Sequence, residues 1–324
     1  MSMVRIAVLD TETTGLDPET CEVVEIGCTI IDVEFTDRGG FLAYPVVHIG
    51  RTAWNRDRFE TYIDPGMPIP PEVSGIHHII DEDLVGAPGT AEGFRLFEEF
   101  LSINTVDLLC AHNAKFDRAF VDRHFEALEL PWICSRRLAQ RVFPDAPGYS
   151  NQTLRYWLSR THPDYILDEY NEIDRHGPVH RALFDTQVTA VTLARIFHEL
   201  RFICDPEDSF AEQLSALSEE PILLREVKGG KYKGTLYADL PWGMLDFLRT
   251  NGDEDVQFTA EYYIAPERYV PRPLEALSFG AHKDKPIALV PTDYLNWIVD
   301  KSTIKDPDVL ATALEELFRR ATNG

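Results

Sequence analysis

Apolar residues fall in short dense runs along the first third of the chain, then shift to helical spacing. Residues 6–9 are continuously hydrophobic and predict a short buried strand. Residues 23–33 (VVEIGCTIIDV) predict a second, largely buried strand, broken at Arg38-Gly39-Gly40. Residues 41–57 show no assignable period and read as an insertion. Residues 58–63 alternate enough for a third strand. Short connections join antiparallel neighbours, so these strands predict a meander. Thr90 can cap a helix over 90–103, with Phe94, Phe97, Phe100 and Leu101 on one face. Residues 106–111 form a fourth strand. Asn113 can cap a helix to Leu128, striped by Phe116, Phe120, Val121 and Phe125. A further helix around Leu154 and Leu158 is capped near Ser150 or Asn151. Residues 168–177 read as an acidic loop, and 181–202 as a long helix buried through Leu183, Phe184, Val188, Val191, Leu193, Ala194 and Phe197.

Past residue 205 the pattern changes. Gly230-Lys231-Tyr232-Lys233-Gly234, then Leu240-Pro241, Leu245 and Phe247-Leu248, recurs fifty residues later. The second copy is Gly280-Ala281-His282-Lys283-Asp284, then Val290-Pro291, Leu295 and Trp297-Ile298. Each copy predicts a basic glycine turn, a strand, a proline-started helix and a second helix. The expected division is therefore a first domain over 1–204, a linker over 205–228, and two small α+β repeats over 229–270 and 271–324.

Two carboxylates stand at the end of the first strand. Asp10 and Glu12 are two apart, so they point the same way. Unpaired, they repel until one binds a proton, and a hard divalent cation such as Mg²⁺ or Mn²⁺ relieves the conflict. Taken singly, Asp-x-Glu after an apolar run also fits a solvated strand end. Asp117 lies in the first turn after a strand, where the helix dipole alone would favour it. Asp185 sits beside Phe184 in the apolar face of the long helix, and a buried carboxylate needs a partner. His180 precedes it on a Gly-Pro loop.

Asp10 with Glu12, Asp117, and His180 with Asp185 match, in order and local context, the DEDDh 3′–5′ exonucleases. Further stretches resemble the exodeoxyribonuclease X group of that family. These are residues 63–71 with Gly75-Ile76-His77, Trp132-Ile133-Cys134-Ser135, Tyr149-Ser150-Asn151, and the Gly-Lys-Tyr-Lys-Gly tail. The resemblance implies a ribonuclease-H-like α/β fold, with a mixed five-stranded sheet flanked by helices. It also implies two-metal hydrolysis of DNA from the 3′ end to nucleoside 5′-monophosphates, with two Mg²⁺ or Mn²⁺ ions. Asp10, Glu12 and Asp185 would hold the first metal, Asp10 and Asp117 the second. His180 would be the general base, an imidazole suiting proton removal near neutral pH. The chain departs from the family near residues 35–57, in the acidic stretch before His180, and in carrying two tail units.

Substrate contacts are expected from the backbone at Thr11 and Thr13 and from an apolar wedge of Leu16, Ile76 and His77. Ile76 fits plain core packing equally well. Phosphate contacts are expected from Arg136 and Arg137, within a group that includes Arg141, Arg155 and Arg160. Such a charge cluster is also compatible with a solvated face.

Composition tempers this picture. A net charge of −23 opposes long-range attraction to phosphate, so binding nucleic acid requires a local basic surface and a metal. Seven of the eight lysines follow residue 225. No apolar run reaches the roughly 18 residues of a membrane span, and the N-terminus shows no signal-peptide pattern. The five cysteines are odd in number and lack C-x-x-C spacing, which reads as reduced thiols in a cytoplasmic protein. The expected partner is a nucleic-acid 3′ end, single-stranded DNA first, with no membrane and with a protein or DNA contact open to the tail repeats. Two rivals stay open: an exoribonuclease, since nothing places a 2′-hydroxyl contact, and an interaction protein acting through its tail. A Gly-x-Ser-x-Gly hydrolase elbow is absent.

Overall fold

A computed structural model of the chain describes residues 3–38, 41–49, 57–125, 130–161, 177–205, 208–300 and 303–323. Most of the expected acidic loop at 168–177 lies outside them. The chain forms two compact units, Met1–Glu220 and Pro221–Gly324.

The first unit is built on a mixed sheet. Strand β1 (Met3–Thr13) runs antiparallel to β2 (Val23–Arg38), with Ile6 opposite Ile31, Asp10 opposite Gly27 and Glu12 opposite Glu25. On its other edge β1 pairs in parallel with β5 (Leu108–Ala111), which pairs in parallel with β6 (Trp132–Cys134). The outer edge of β2 is shared end to end. Strand β4 (Arg58–Tyr62) pairs with residues 25–29, and β3 (Phe41–Ile49) pairs antiparallel with residues 31–38. This is the expected mixed sheet, extended by one strand. The added strand comes from the stretch that shows no period in the sequence. It is an edge strand, where Pro45 lacks a donor at little penalty.

Alternation along β1 explains its apolar run. Val4, Ile6 and Val8 enter one core with Leu154, Leu158, Leu193, Ile196 and Phe197. Ala7 and Leu9 enter the opposite core with Phe94, Phe97, Leu101 and Phe120. The strand is thus buried on both faces. The first core gathers α4 (Ser135–Val142), α5 (Asn151–Thr161) and α6 (Ala182–Leu200). The second gathers α2 (Thr90–Asn104) and α3 (Ala114–Val121), while α1 (Pro71–His77), earlier in the chain, packs Val73 on a separate cluster of Val24, Ile69, Ile79 and Leu84. Asn113 takes the N-cap position of α3 without a side-chain hydrogen bond, and α3 ends at Val121, short of the expected Leu128.

The stretch expected to be a linker contains α7 (Phe210–Glu219), capped by Ser209. Its Leu214, Phe210 and Leu217 join the first core, and Ser218 Oγ accepts the Cys134 N–H at 3.0 Å. The amphipathic helix buries its apolar stripe against β6 and α4, so the segment packs with the first unit.

The second unit carries α8 (Trp242–Asn251), α9 (Glu254–Ile264), α10 (Thr292–Asp300) and α11 (Pro307–Asn323). Its apolar side chains form two clusters, one around Tyr237, Leu240 and Leu245, the other around Val290, Leu295 and Ile298. The same backbone bonds occur in both halves. Gly234 N–H donates to the Val227 carbonyl, and Asp284 N–H to that of Leu277. Leu224 N–H donates to Thr259 Oγ1 and Leu274 N–H to Thr312 Oγ1. Each expected strand is instead a 3₁₀ turn (Tyr237–Asp239 and Ile287–Leu289) with one isolated β-bridge nearby. The apolar stretch curls because Pro241 and Pro291 follow directly and cannot donate to a ladder. Among the described residues the tail is helical, not α+β. No helix among them is long and apolar enough to cross a membrane.

Candidate active site

Asp10 and Glu12 share the β1 face of Ile6 and Val8, which looks onto α6. Asp185 lies in the first turn of α6. One carboxylate oxygen from each of Asp10, Glu12 and Asp185 lies within 4.8 Å of the others. Asp185 is fixed from several sides. Its N–H donates to the Arg181 carbonyl at 3.0 Å, its Oδ2 accepts the His180 N–H at 3.0 Å, and its Oδ1 accepts Gln152 Nε2 at 3.4 Å. Asp117 Oδ1 accepts both the N–H of Thr11 (3.1 Å) and its hydroxyl (2.9 Å), which ties α3 to β1 between the two leading carboxylates. His180 is exposed and holds a left-handed backbone with φ +62°.

Burial, then Asp117, Glu12, Asp185 and Glu25, hold Asp10 well above the ordinary carboxylate range. Burial and Glu25 push Glu12 up to about 9. Burial pushes Asp117 to about 7 despite its bonds from Thr11. Asp185 is also raised by burial, against the opposing His180 N–H. An all-oxygen set that resists ionisation on its own fits a hard divalent cation.

The same shifts set a pH dependence. These acids bind protons more tightly folded than unfolded, so without metal their contribution is full below pH 4 and is lost as pH rises towards about 9. The melting temperature in chelator should therefore fall between about pH 5 and pH 9. Added Mg²⁺ should restore more of it at pH 8 than at pH 5, read by thermal melts.

The expected substrate residues separate. Leu16 is 84% exposed and Ile76 54% exposed, so Ile76 is not core packing. Its neighbour His77 is buried, with Nδ1 accepting the Ile79 N–H at 3.0 Å, and belongs to the frame rather than the wedge. Thr11 N–H is taken by Asp117, and Thr13 Oγ1 donates to the Gly15 carbonyl at 2.6 Å. Arg137 Nε and Nη2 donate to the Ser218 and Glu220 carbonyls, and Arg141 donates to Leu217 and Glu220, at the C-terminus of α7. Arg155 is buried, its guanidinium 5.5 Å from the Phe184 ring centroid. These three cations serve packing and a helix terminus, whereas Arg136 is exposed.

Two residues beyond the expected set shape the site. Gly27 stands opposite Asp10, and an added Cβ would lie 2.2 Å from Leu183 N and 2.3 Å from the Ala182 carbonyl carbon. Glycine there lets the start of α6 lie on the sheet. Glu25 is fully buried opposite Glu12 and pairs with Arg181 at 2.6 Å. The available signal was a charge inside an otherwise apolar strand, which demands a partner.

Similarity to known proteins agrees with this geometry. The family model described as "Exonuclease" matches residues 7–193. Exodeoxyribonuclease 10 of Escherichia coli (strain K12) is 26% identical over 268 residues, covering 80% of this chain and 98% of the relative. The DNA polymerase III subunit epsilon of Treponema pallidum is 36% identical over 146 residues, covering 44% of this chain and 58% of the relative. The PolC-type DNA polymerase III of Bacillus cereus is 28% identical over 198 residues, 60% of this chain but 11% of that longer protein. With the family model spanning more than half of its length, the chain belongs to this exonuclease family.

Proposed function

We propose that the protein is a 3′–5′ exodeoxyribonuclease, acting in DNA repair or processing and yielding nucleoside 5′-monophosphates. The observation that carries this is the convergence of Asp10, Glu12 and Asp185 oxygens within 4.8 Å, on the end of a buried strand and the start of a helix. Relatives named as an exodeoxyribonuclease and as a DNA polymerase subunit support DNA as the polymer.

Asp10, Glu12 and Asp185 would hold one divalent cation, and Asp10 with Asp117 a second. When bound, such a pair supplies Lewis acidity and positive charge to the attacking and leaving oxygens. His180 takes a proton from the attacking water as general base, its exposed position leaving the imidazole open to solvent and substrate. Water oxygen bonds to the terminal phosphorus, the bond to O3′ of the penultimate nucleotide breaks, and that oxygen gains a proton. Leu16 and Ile76 offer an apolar surface for the terminal base, worth about 1–3 kcal/mol of sequence-tolerant stacking. Arg136 is the arginine best placed for phosphate, since Arg137 is engaged by α7.

We read the two halves of the tail as repeats whose glycine turns meet nucleic acid. Support comes from the matching hydrogen bonds and from the exposed Lys231, Lys233, Lys283 and Lys285 in a chain otherwise poor in lysine. Charge reversal at Lys231 and Lys283 together should raise KM for a long oligonucleotide about three- to tenfold at low salt and leave a dinucleotide substrate unchanged, measured by steady-state kinetics. A cytoplasmic setting fits five cysteines that are all unpaired.

The test of polarity and sugar is a time course on single-stranded DNA and matching RNA, each labelled at the 5′ end, with Mg²⁺ or Mn²⁺. A DNA ladder shortening from the 3′ end is expected. Faster loss of RNA would move the substrate to RNA, and endonucleolytic fragments would refute exonuclease action.

A further inference from the structure

We propose that Glu25 and Arg181 form a positioning clamp, which holds the segment carrying His180 and Asp185 against the strand carrying Asp10 and Glu12. The inference rests on the active-site reading above and names residues that act through the catalytic set.

Glu25 lies on β2 directly opposite Glu12, and its side chain is inaccessible to solvent. Its two oxygens are fully occupied by the start of α6. Oε1 accepts Arg181 Nη2 at 2.6 Å and Nε at 3.2 Å, while Oε2 accepts Nε at 3.2 Å and the Ala182 N–H at 2.9 Å. The first turn of a helix leaves N–H groups without internal partners, and its N-cap side chain normally supplies one. Here the N-cap residue is Arg181, which cannot accept, and its own side chain makes no capping bond. The strand supplies the acceptor instead, so the helix start is capped from across the sheet.

Arg181 closes the other side. Its Nη2 donates to Tyr62 Oη at 2.6 Å, and its guanidinium stands 5.2 Å from the Tyr62 ring centroid. Tyr62 is paired with Glu25 across β2 and β4, so two strands are joined to one helix terminus. Arg181 also accepts the Asp185 N–H through its carbonyl, and His180 directly precedes it. His180 is held at φ +62°, a conformation a non-glycine residue keeps only when its surroundings impose it. The clamp thus anchors the backbone from which both Asp185 and His180 extend.

A bidentate guanidinium pair of this kind is directional, so replacing either partner should shift the helix start rather than merely loosen it. A displacement of about 1 Å can lower turnover about 10²-fold. The variants are Glu25→Gln, Arg181→Met, Arg181→Lys and the double Glu25→Gln/Arg181→Met, with Asp10→Asn for reference. Each is assayed for kcat and KM on single-stranded DNA at saturating Mg²⁺. The Mn²⁺ concentration giving half-maximal thermal stabilisation is read separately, without substrate. Glu25→Gln and Arg181→Met should each lower kcat about 10- to 100-fold, leave KM nearly unchanged and raise the Mn²⁺ half-point. Arg181→Lys, which keeps a cation for Glu25 but loses the two-pronged contact, should recover only part of kcat. The double variant should lose no more than the worse single, because both members act through one contact.

Clamp variants with wild-type kcat and Mn²⁺ half-point would overturn the proposal, as would losses that add in the double variant. If Asp10→Asn abolishes Mn²⁺ binding while the clamp variants bind normally, the clamp fails and the active-site reading stands. If the wild-type protein neither binds Mn²⁺ nor cleaves DNA, both fail.

Discussion

Asp10→Asn is expected to lower turnover by about 10³-fold, near 4 kcal/mol of barrier, while making the metal-free protein more stable. The two effects have one cause. Asp10 sits among Glu12, Asp117, Asp185 and Glu25, with burial and like charge both resisting its ionisation. On the proposed function that charge is needed to hold a cation, while the metal-free fold is better off without it. Asparagine keeps the shape and removes the charge. In chelator at pH 8 the gain should be about 1–2 kcal/mol, or roughly 2–8 °C in melting temperature. The gain should shrink as pH falls, because burial and the neighbouring acids favour the protonated form of Asp10. Parallel kinetics and melts check both halves. A variant that loses activity and stability together would point to a structural acid instead.

Gly27→Ala is expected to reduce turnover about 10²-fold and stability by roughly 1–3 kcal/mol. The added methyl would meet Leu183 N at 2.2 Å, the Ala182 carbonyl carbon at 2.3 Å and Leu183 Cα at 2.6 Å. All three are backbone atoms in the first turn of α6, so no side chain can swing aside to make room. The helix start must move off the sheet, and Asp185 moves with it. Gly75 supplies the control: it lies within α1, and an added Cβ there meets nothing within 4 Å. Gly75→Ala should therefore leave the melting temperature unchanged or raise it slightly. Equal melting temperatures for the two variants would contradict the close approach of α6 to β2.

These two residues mark what a linear reading can and cannot reach. The period-two face of β1 and the apolar stripe of α6 are local properties. From them Asp10, Glu12 and Asp185 could be singled out and expected to converge. Gly27 and Glu25 lie in the same dense strand as Ile26 and Cys28, and their roles depend on Arg181 and Ala182, more than 150 residues away in sequence. A single strand does not announce such a partner. The same limit explains the arginines. Arg137 and Arg141 look like a free basic patch until α7 brings the Leu217, Ser218 and Glu220 carbonyls to them. Ile76 and His77 are adjacent in sequence, yet one is exposed and the other enclosed at the end of α1, because helix phase decides between neighbours. The tail shows the reverse case. Its recurring residues were legible, but the apolar stretches before Pro241 and Pro291 have strand composition while their backbone closes 3₁₀ turns.

The central claim is that these carboxylates hold a metal-dependent centre for hydrolysis at a 3′ end. Its most direct measurement is the product released from single-stranded DNA by chelator-stripped protein, before and after Mg²⁺ is added back, for wild type beside Asp10→Asn. The account predicts nucleoside 5′-monophosphates from wild type only after Mg²⁺ returns, and almost none from Asp10→Asn at any Mg²⁺ concentration. Undiminished hydrolysis by Asp10→Asn, or release of nucleoside 3′-monophosphates, would contradict it.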